Sequence, residues 1–156
     1  MGTNFDVSEL SEFGKEIVNI ATNEMPKITK NFMKSEARKL KNKAIRKAKS
    51  TLKTKTGNYI DGFDIGKKVY AYGDSEYNIQ VKNTAPHAHL IEYGYNNVIP
   101  TFKNKKKQIK NLNGGKVVGF TKGKHILENS NLEFESQFHS HVEKNLLTKV
   151  VKEMEK

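Results

Sequence analysis

Leu10, Phe13, Ile17 and Ile20 recur at steps of three and four, with Ala21 alongside. That spacing predicts an amphipathic helix over Ser8–Glu24. Asp6 with Glu9 resembles a capping box, and Ser8 is a second candidate cap. Pro26 is expected to separate this helix from the next. A second apolar stripe follows: Phe32 or Met33, Ala37, Leu40, Ala44, Ala48 and Leu52, with Ile45 beside it. It predicts a long helix over Lys27–Leu52 with one buried face. At about 1.5 Å per residue such a helix runs to nearly 40 Å, longer than a small globule needs. Its alanines let a neighbouring element come close.

Beyond Gly57 the period changes. Tyr77, Ile79 and Val81 alternate with Asn78, Gln80 and Lys82, the pattern of a half-buried strand over Glu76–Asn83. Lys68–Tyr72 has strand chemistry too, and Gly73-Asp74 reads as the hairpin turn between them. Pro86 opens a short helical segment, His87–Tyr93, that ends at Gly94. Lys103–Gly115, rich in lysine and closed by Asn113-Gly114-Gly115, reads as a loop. Lys116–Thr121 reads as a further strand, which a turn at Asn113-Gly114 would pair with Val98–Phe102. The closing helix is expected to start near Ser130, with Glu133 completing a capping box. Phe134, Phe138, Val142, Leu146 and Val150 then form an i, i+4 row, supported by Leu147 and Val151. No internal repeat is evident.

The fold class expected is therefore α+β: a small antiparallel sheet packed with a long N-terminal helical arm and a C-terminal helix. We expect one domain, with residues 1–55 the arm, 56–129 the sheet with a basic loop at 103–115, and 130–156 the closing helix.

Composition sharpens this picture. The chain has 156 residues, of which 35% are hydrophobic and 29% charged. The core is modest for that length, so part of the burial is expected to come from assembly. Cysteine is absent, which excludes disulfides, thiolate metal sites and cysteine nucleophiles. No apolar run approaches the roughly 18 residues of a membrane span. The polar, acidic start, Met1–Leu10, is no signal peptide, so synthesis in the cytoplasm is expected.

The net charge of +11 is unevenly spread. Lys27–Lys55 holds 12 basic residues against one acidic residue, Glu36, and Lys103–Lys124 holds 8 basic residues and no acidic ones. The rest of the chain is net acidic. A two-faced surface of this kind favours a polyanion or head-to-tail stacking on a complementary protein face.

Candidate chemistry is sparse. Gly114 and Gly119 have the separation of a phosphate loop, but Phe120 and Thr121 stand where lysine and Ser/Thr are required. His87/His89 and His139/His141 lie two apart in segments read as helical, where such residues diverge, and a zinc site wants three or four ligands. Asp61, Asp64 and Glu92 show no spacing that pairs them for acid–base work. Glu92 is expected to cap a turn or pair with a lysine. Nucleic-acid binding is the serious chemical alternative: the lysine helix could track phosphates without reading sequence. Only Arg38 and Arg46 offer the forked donors of base readout, and aromatics are not interleaved with the helix lysines.

Two short segments carry a family resemblance. Thr56-Gly57 is followed by Tyr59 or Ile60, and Ala88, Ile91, Glu92, Tyr93 and Gly94 form a hydrophobic-Glu-aromatic-Gly motif. His125-Ile126-Leu127 adds an apolar patch just before the closing helix. Together, over about Phe32–Val151, they resemble the bacteriophage head–tail joining or tail-completion proteins of long-tailed phages and phage-tail-like particles. Lys55 replaces a usual proline, Tyr95 a usual threonine, and Lys124-His125 a usual Pro-Phe.

The resemblance implies a non-enzymatic structural ring subunit without cofactor or metal, hexameric as a rule, in the neck of a virion or tail-like particle assembled in the host bacterial cytoplasm. It implies a head-side connector or collar protein above, a tail terminator or tube protein below, passing contact with DNA at most, and no membrane. The residues expected at subunit or partner interfaces are Lys41, Arg46, Lys49, Glu92, Tyr93, Gly94, Tyr95, Lys103, Lys105, Lys106, Lys107 and Lys110.

Overall fold

A computed structural model describes residues 8–53, 57–72, 76–104 and 109–155. Among these the chain is α+β and mostly helical. Helix α1 (Ser8–Asn19) passes through a π-helical segment (Ile20–Glu24) into α2 (Met25–Thr51). A short α3 (Asn58–Asp61) precedes strands β1 (Phe63–Ile65), β2 (Tyr70–Tyr72), β3 (Glu76–Asn78) and β4 (Val81–Asn83). Then come α4 (Ala88–Tyr93), the long strands β5 (Gly94–Asn104) and β6 (Ile109–Lys122), and α5 (Ile126–His141). A second π-helical segment (Val142–Leu147) leads into α6 (Thr148–Met154).

Contrary to the expectation from its missing N–H, Pro26 does not separate two helices. The chain stays helical from Ser8 to Thr51, and the turn before the proline widens instead: Met25 donates its N–H to Ile20 five residues back. A widened turn accommodates a ring that would clash in a regular one. Thr22 Oγ1 donates to the Val18 carbonyl at 2.7 Å within the same segment.

Among the described residues the sheets are three separate two-stranded ladders: β1 with β4, β2 with β3, and β5 with β6. The hairpin expected around Gly73-Asp74 is present as the antiparallel pair β2–β3, with Ala71 opposite Tyr77; its turn lies outside the described residues. The strand expected over Glu76–Asn83 is interrupted at Ile79-Gln80.

The largest departure is at the basic segment. Lys103, Asn104 and Ile109–Gly115 are strand, not loop; residues 105–108 lie outside the described set. Asn113-Gly114 does not form the turn. The register passes from Pro100–Gly115 to Thr101–Asn111, so Leu112, Asn113 and Gly114 sit in an irregularity of β6. Pro100, which cannot donate to a ladder, stands at that same irregularity, as strand prolines do.

The chain divides into two compact units. The first comprises Met1–Asn42, Ile65–Val81 and Asn131–Lys156. Its buried residues Phe32, Ala37 and Phe134 come from the apolar stripes read in the sequence. Phe32 and Phe138 rings stand 5.8 Å apart, and Phe134 and Phe138 rings 6.3 Å. Glu36, inside this stripe, is buried as well; its carboxylate accepts from Lys39 Nζ at 2.7 Å and meets His141 Nδ1 at 2.6 Å.

The second unit comprises Lys43–Asp64 and Lys82–Ser130. Its core is Ala44, Ala48, Tyr59, Phe63, Ala88 and Ile126, with Ile45, Leu52, Ile60, Ala85, Ile91 and Leu127 packed around it. The alanines of the α2 stripe do what their size permits: Tyr59 and Phe63 lie edge to face at 5.2 Å in the same cluster as Ala44 and Ala48.

The closing helix begins at Ile126, four residues before the expected Ser130. Ser130 is no cap: it is fully buried and its Oγ donates to the Ile126 carbonyl at 2.6 Å. Ile126, expected just before the helix, is its first residue and has no exposed surface.

Candidate assembly surface

The two sequence motifs meet inside the second unit. Gly57, at φ 73°, starts α3 in the left-handed region, and Tyr59 then enters the core. Of the two residues that fitted the Thr-Gly motif, Tyr59 is thus the deeply buried one. Its hydroxyl donates to Glu92 Oε1. Asn83 secures α3 by donating to the Tyr59 carbonyl at 2.7 Å, and accepts from Ala85 N at 2.9 Å.

Glu92 is buried on α4, and of the two roles expected of it the structure shows the first, the capping of a turn. Its carboxylate accepts the Leu127 N–H at 3.2 and 3.3 Å. Leu127 is in the first turn of α5, so a carboxylate 35 residues away in sequence caps that helix and sits at the positive end of its dipole. Two backbone bonds tighten the joint: Lys124 N to Ile91 O at 2.8 Å and His125 N to Glu92 O at 3.2 Å. His125 takes a left-handed φ of 47° there, with Nδ1 2.8 Å from Glu128 Oε2. Burial foremost, then the hydrogen bond to Glu92 and its charge, push the Tyr59 phenol far above its ordinary 10.0. It stays a neutral donor.

The glycine of the motif has a steric reason. Gly94 has φ 89°, and a Cβ there would run into the Thr121 carbonyl and come within 2.8 Å of Gly123 N. Gly123 in turn lies against the Glu92 carbonyl. Buried Glu92 and turning Gly94 therefore fix how the β5–β6 hairpin leaves the core.

The hairpin itself is open. Tyr95, Val98, Ile99, Val117, Val118 and Phe120 are each 43–61% exposed. Asn96 pairs with Phe120 and Val98 with Val117, placing these on one face. Tyr95 pairs with Thr121 and Asn97 with Gly119, and Thr121 Oγ1 donates to Asn97 Oδ1 at 3.1 Å, placing these on the other. Tyr93, just before the hairpin, is 71% exposed and stacks edge-on against His125 at 6.2 Å.

In the first unit, α1, its π-helical extension and α6 enclose an apolar groove of about 280 Å³. Phe13, Ile17, Ile20, Met25, Val150 and Met154 line it, with Glu16 at its border.

The comparison with protein families decides the class. A family model described as "Bacteriophage HK97-gp10, putative tail-component" matches residues 10–94, more than half of the chain. The chain belongs to this family. The match ends at Gly94, so it contains both halves of the Tyr59–Glu92 pair and stops where the hairpin starts. No curated protein and no solved structure matches the chain.

Of the other residues expected at interfaces, Arg46 and Lys49 are exposed on α2 and Lys41 is half-buried. Lys103 and Lys110 belong to β5 and β6, and Lys105, Lys106 and Lys107 lie outside the described residues. Among the described residues no group of three metal-binding side chains converges, and no helix is long and apolar enough to cross a membrane. Sequence reasoning missed the Tyr59–Glu92 pair and the buried Glu36, although an acid inside an apolar stripe was a signal for the second.

Proposed function

We propose that the chain is a structural ring subunit of the tail neck, six copies completing the tail and joining it to the head-side connector or collar, with the tail terminator or tube below. This refines the tail-component assignment of the family. The supporting observation is the β5–β6 hairpin: a ladder of two strands with large apolar side chains open on both faces. Such a ladder is marginal alone in water, and a patch of that kind marks a protein interface. Subunit or partner contacts are assigned to Tyr93, Gly94 and Tyr95 at its base, to the basic residues Lys103, Lys105, Lys106, Lys107 and Lys110 along it, and to Lys41, Arg46 and Lys49. Glu92 acts from beneath by holding the hairpin base. The role is structural and non-enzymatic, located in the virion after assembly in the host cytoplasm.

The test is a charge reversal in the producing phage. Changing Lys105, Lys106 and Lys107 together to glutamate is expected to leave heads and tails separate in micrographs while the protein remains soluble and folded. Normally joined particles would contradict the joining role. A protein that stays monomeric and binds duplex DNA tightly at physiological salt would instead favour a nucleic-acid-binding accessory role.

A further inference from the structure

The geometry points to a head-to-tail contact in which the apolar groove of one copy, between α1 and α6, receives the β5–β6 hairpin of a second copy. This rests on the ring reading above and names the surfaces that would close the ring.

Both surfaces are apolar and incomplete. Phe13 and Ile17 are 58% and 43% exposed in the groove, and Phe120 is 61% exposed on the hairpin. The groove, about 280 Å³, exceeds the roughly 150 Å³ cavity that takes a benzene ring. It has room for a Phe120 ring and a valine beside it.

Charge selects the occupant. The three segments that form the groove, α1, its π-helical extension and α6, together carry five acidic residues and three basic ones. Glu16 borders the groove itself. The segment from Gly94 to Lys124 carries 8 basic residues and no acidic one, and Lys116 and Lys122 are exposed next to the apolar positions. Two copies of the acidic surface would repel, as would two copies of the basic one. Acidic groove against basic hairpin is the attractive pairing. A contact between two different surfaces of identical chains is heterologous, and repeats of it close into a ring when the rotation divides the circle.

Complementary surface variants test this. Ile17→Lys spoils the groove and Phe120→Glu spoils the hairpin; both side chains are exposed, so circular dichroism should match the wild type. Each variant alone is expected to lose self-association by about thirtyfold or more. Mixed, they retain one sound groove and one sound hairpin. Light scattering should then give a 1:1 complex of twice the 17.8 kDa protomer and nothing larger. Raising salt from about 0.05 to about 1 M should weaken it, because screening removes the charge attraction.

If the wild type forms a ring and both variants still do, the ring reading stands and this contact is wrong. If the mixture stays monomeric, the heterologous pairing is overturned. A wild type monomeric at every concentration overturns both. Should either charged variant fail to fold, Ile17→Cys and Phe120→Cys serve instead, since the chain has no cysteine. Mixing them under mild oxidation should yield a disulfide-linked heterodimer, with neither forming a dimer alone; no linkage in the mixture refutes the contact.

Discussion

Glu92 and Tyr93 are adjacent in sequence and opposite in environment. Glu92 is buried, with its carboxylate shared between the Tyr59 hydroxyl and the first turn of α5. Tyr93 is 71% exposed, and the hairpin that follows it keeps its apolar side chains in water. One region is completed by the chain itself. The other carries large apolar side chains without cover. The difference divides a short motif: its buried half holds the base of the hairpin, and its exposed half leaves an aromatic open to water.

Substitutions should separate the two regions cleanly. Glu92→Ala is expected to have the largest effect, about 3–5 kcal/mol by urea unfolding, because it strands the Tyr59 hydroxyl and the Leu127 N–H without an acceptor. A loss below about 1 kcal/mol would mean that the base is not held this way. In the first unit, Phe138→Ala should cost about 2 kcal/mol, less than a fully buried phenylalanine, because Phe138 is only half-buried.

Tyr59→Phe should cost about 1–2 kcal/mol at neutral pH. It also carries a pH signature. Folding raises the phenol's pKa above its ordinary 10.0, so the stabilisation is full below that pH. It declines as pH rises past 10.0, where the unfolded chain ionises and the folded one does not. Wild type should therefore lose more stability than Tyr59→Phe across that window; equal losses would remove Tyr59 from the buried network. Phe120→Ala should have the smallest effect on stability, within about 0.5 kcal/mol, and should register in the association equilibrium instead. A large stability loss would show that the hairpin is part of the core.

Local pattern made much of the fold legible. The α2 stripe was readable because its alanines sit at helical steps and are buried where those steps place them. The start of α5 was not, since its cap is Glu92, far back in sequence, and Ser130 with Glu133 offered a plausible local substitute. The length of β5 and β6 was hidden for a related reason. Lysines and Asn-Gly-Gly argue for a loop locally, whereas a paired ladder tolerates them through shifts of register. Pro26 misled because a π-helical turn absorbs what a regular turn cannot. The Glu92–Tyr93–Gly94 motif was visible as a resemblance, but its division into a buried acid and an exposed aromatic needed the coordinates.

Amide hydrogen exchange along the hairpin, in the dilute and the assembled protein, addresses the central claim most directly. The account predicts that Lys116–Lys122 exchange fast when dilute and become protected on assembly, while Ile126–Ser130, beneath the Glu92 cap, stay protected in both. Equal protection of the hairpin in the two states would contradict it.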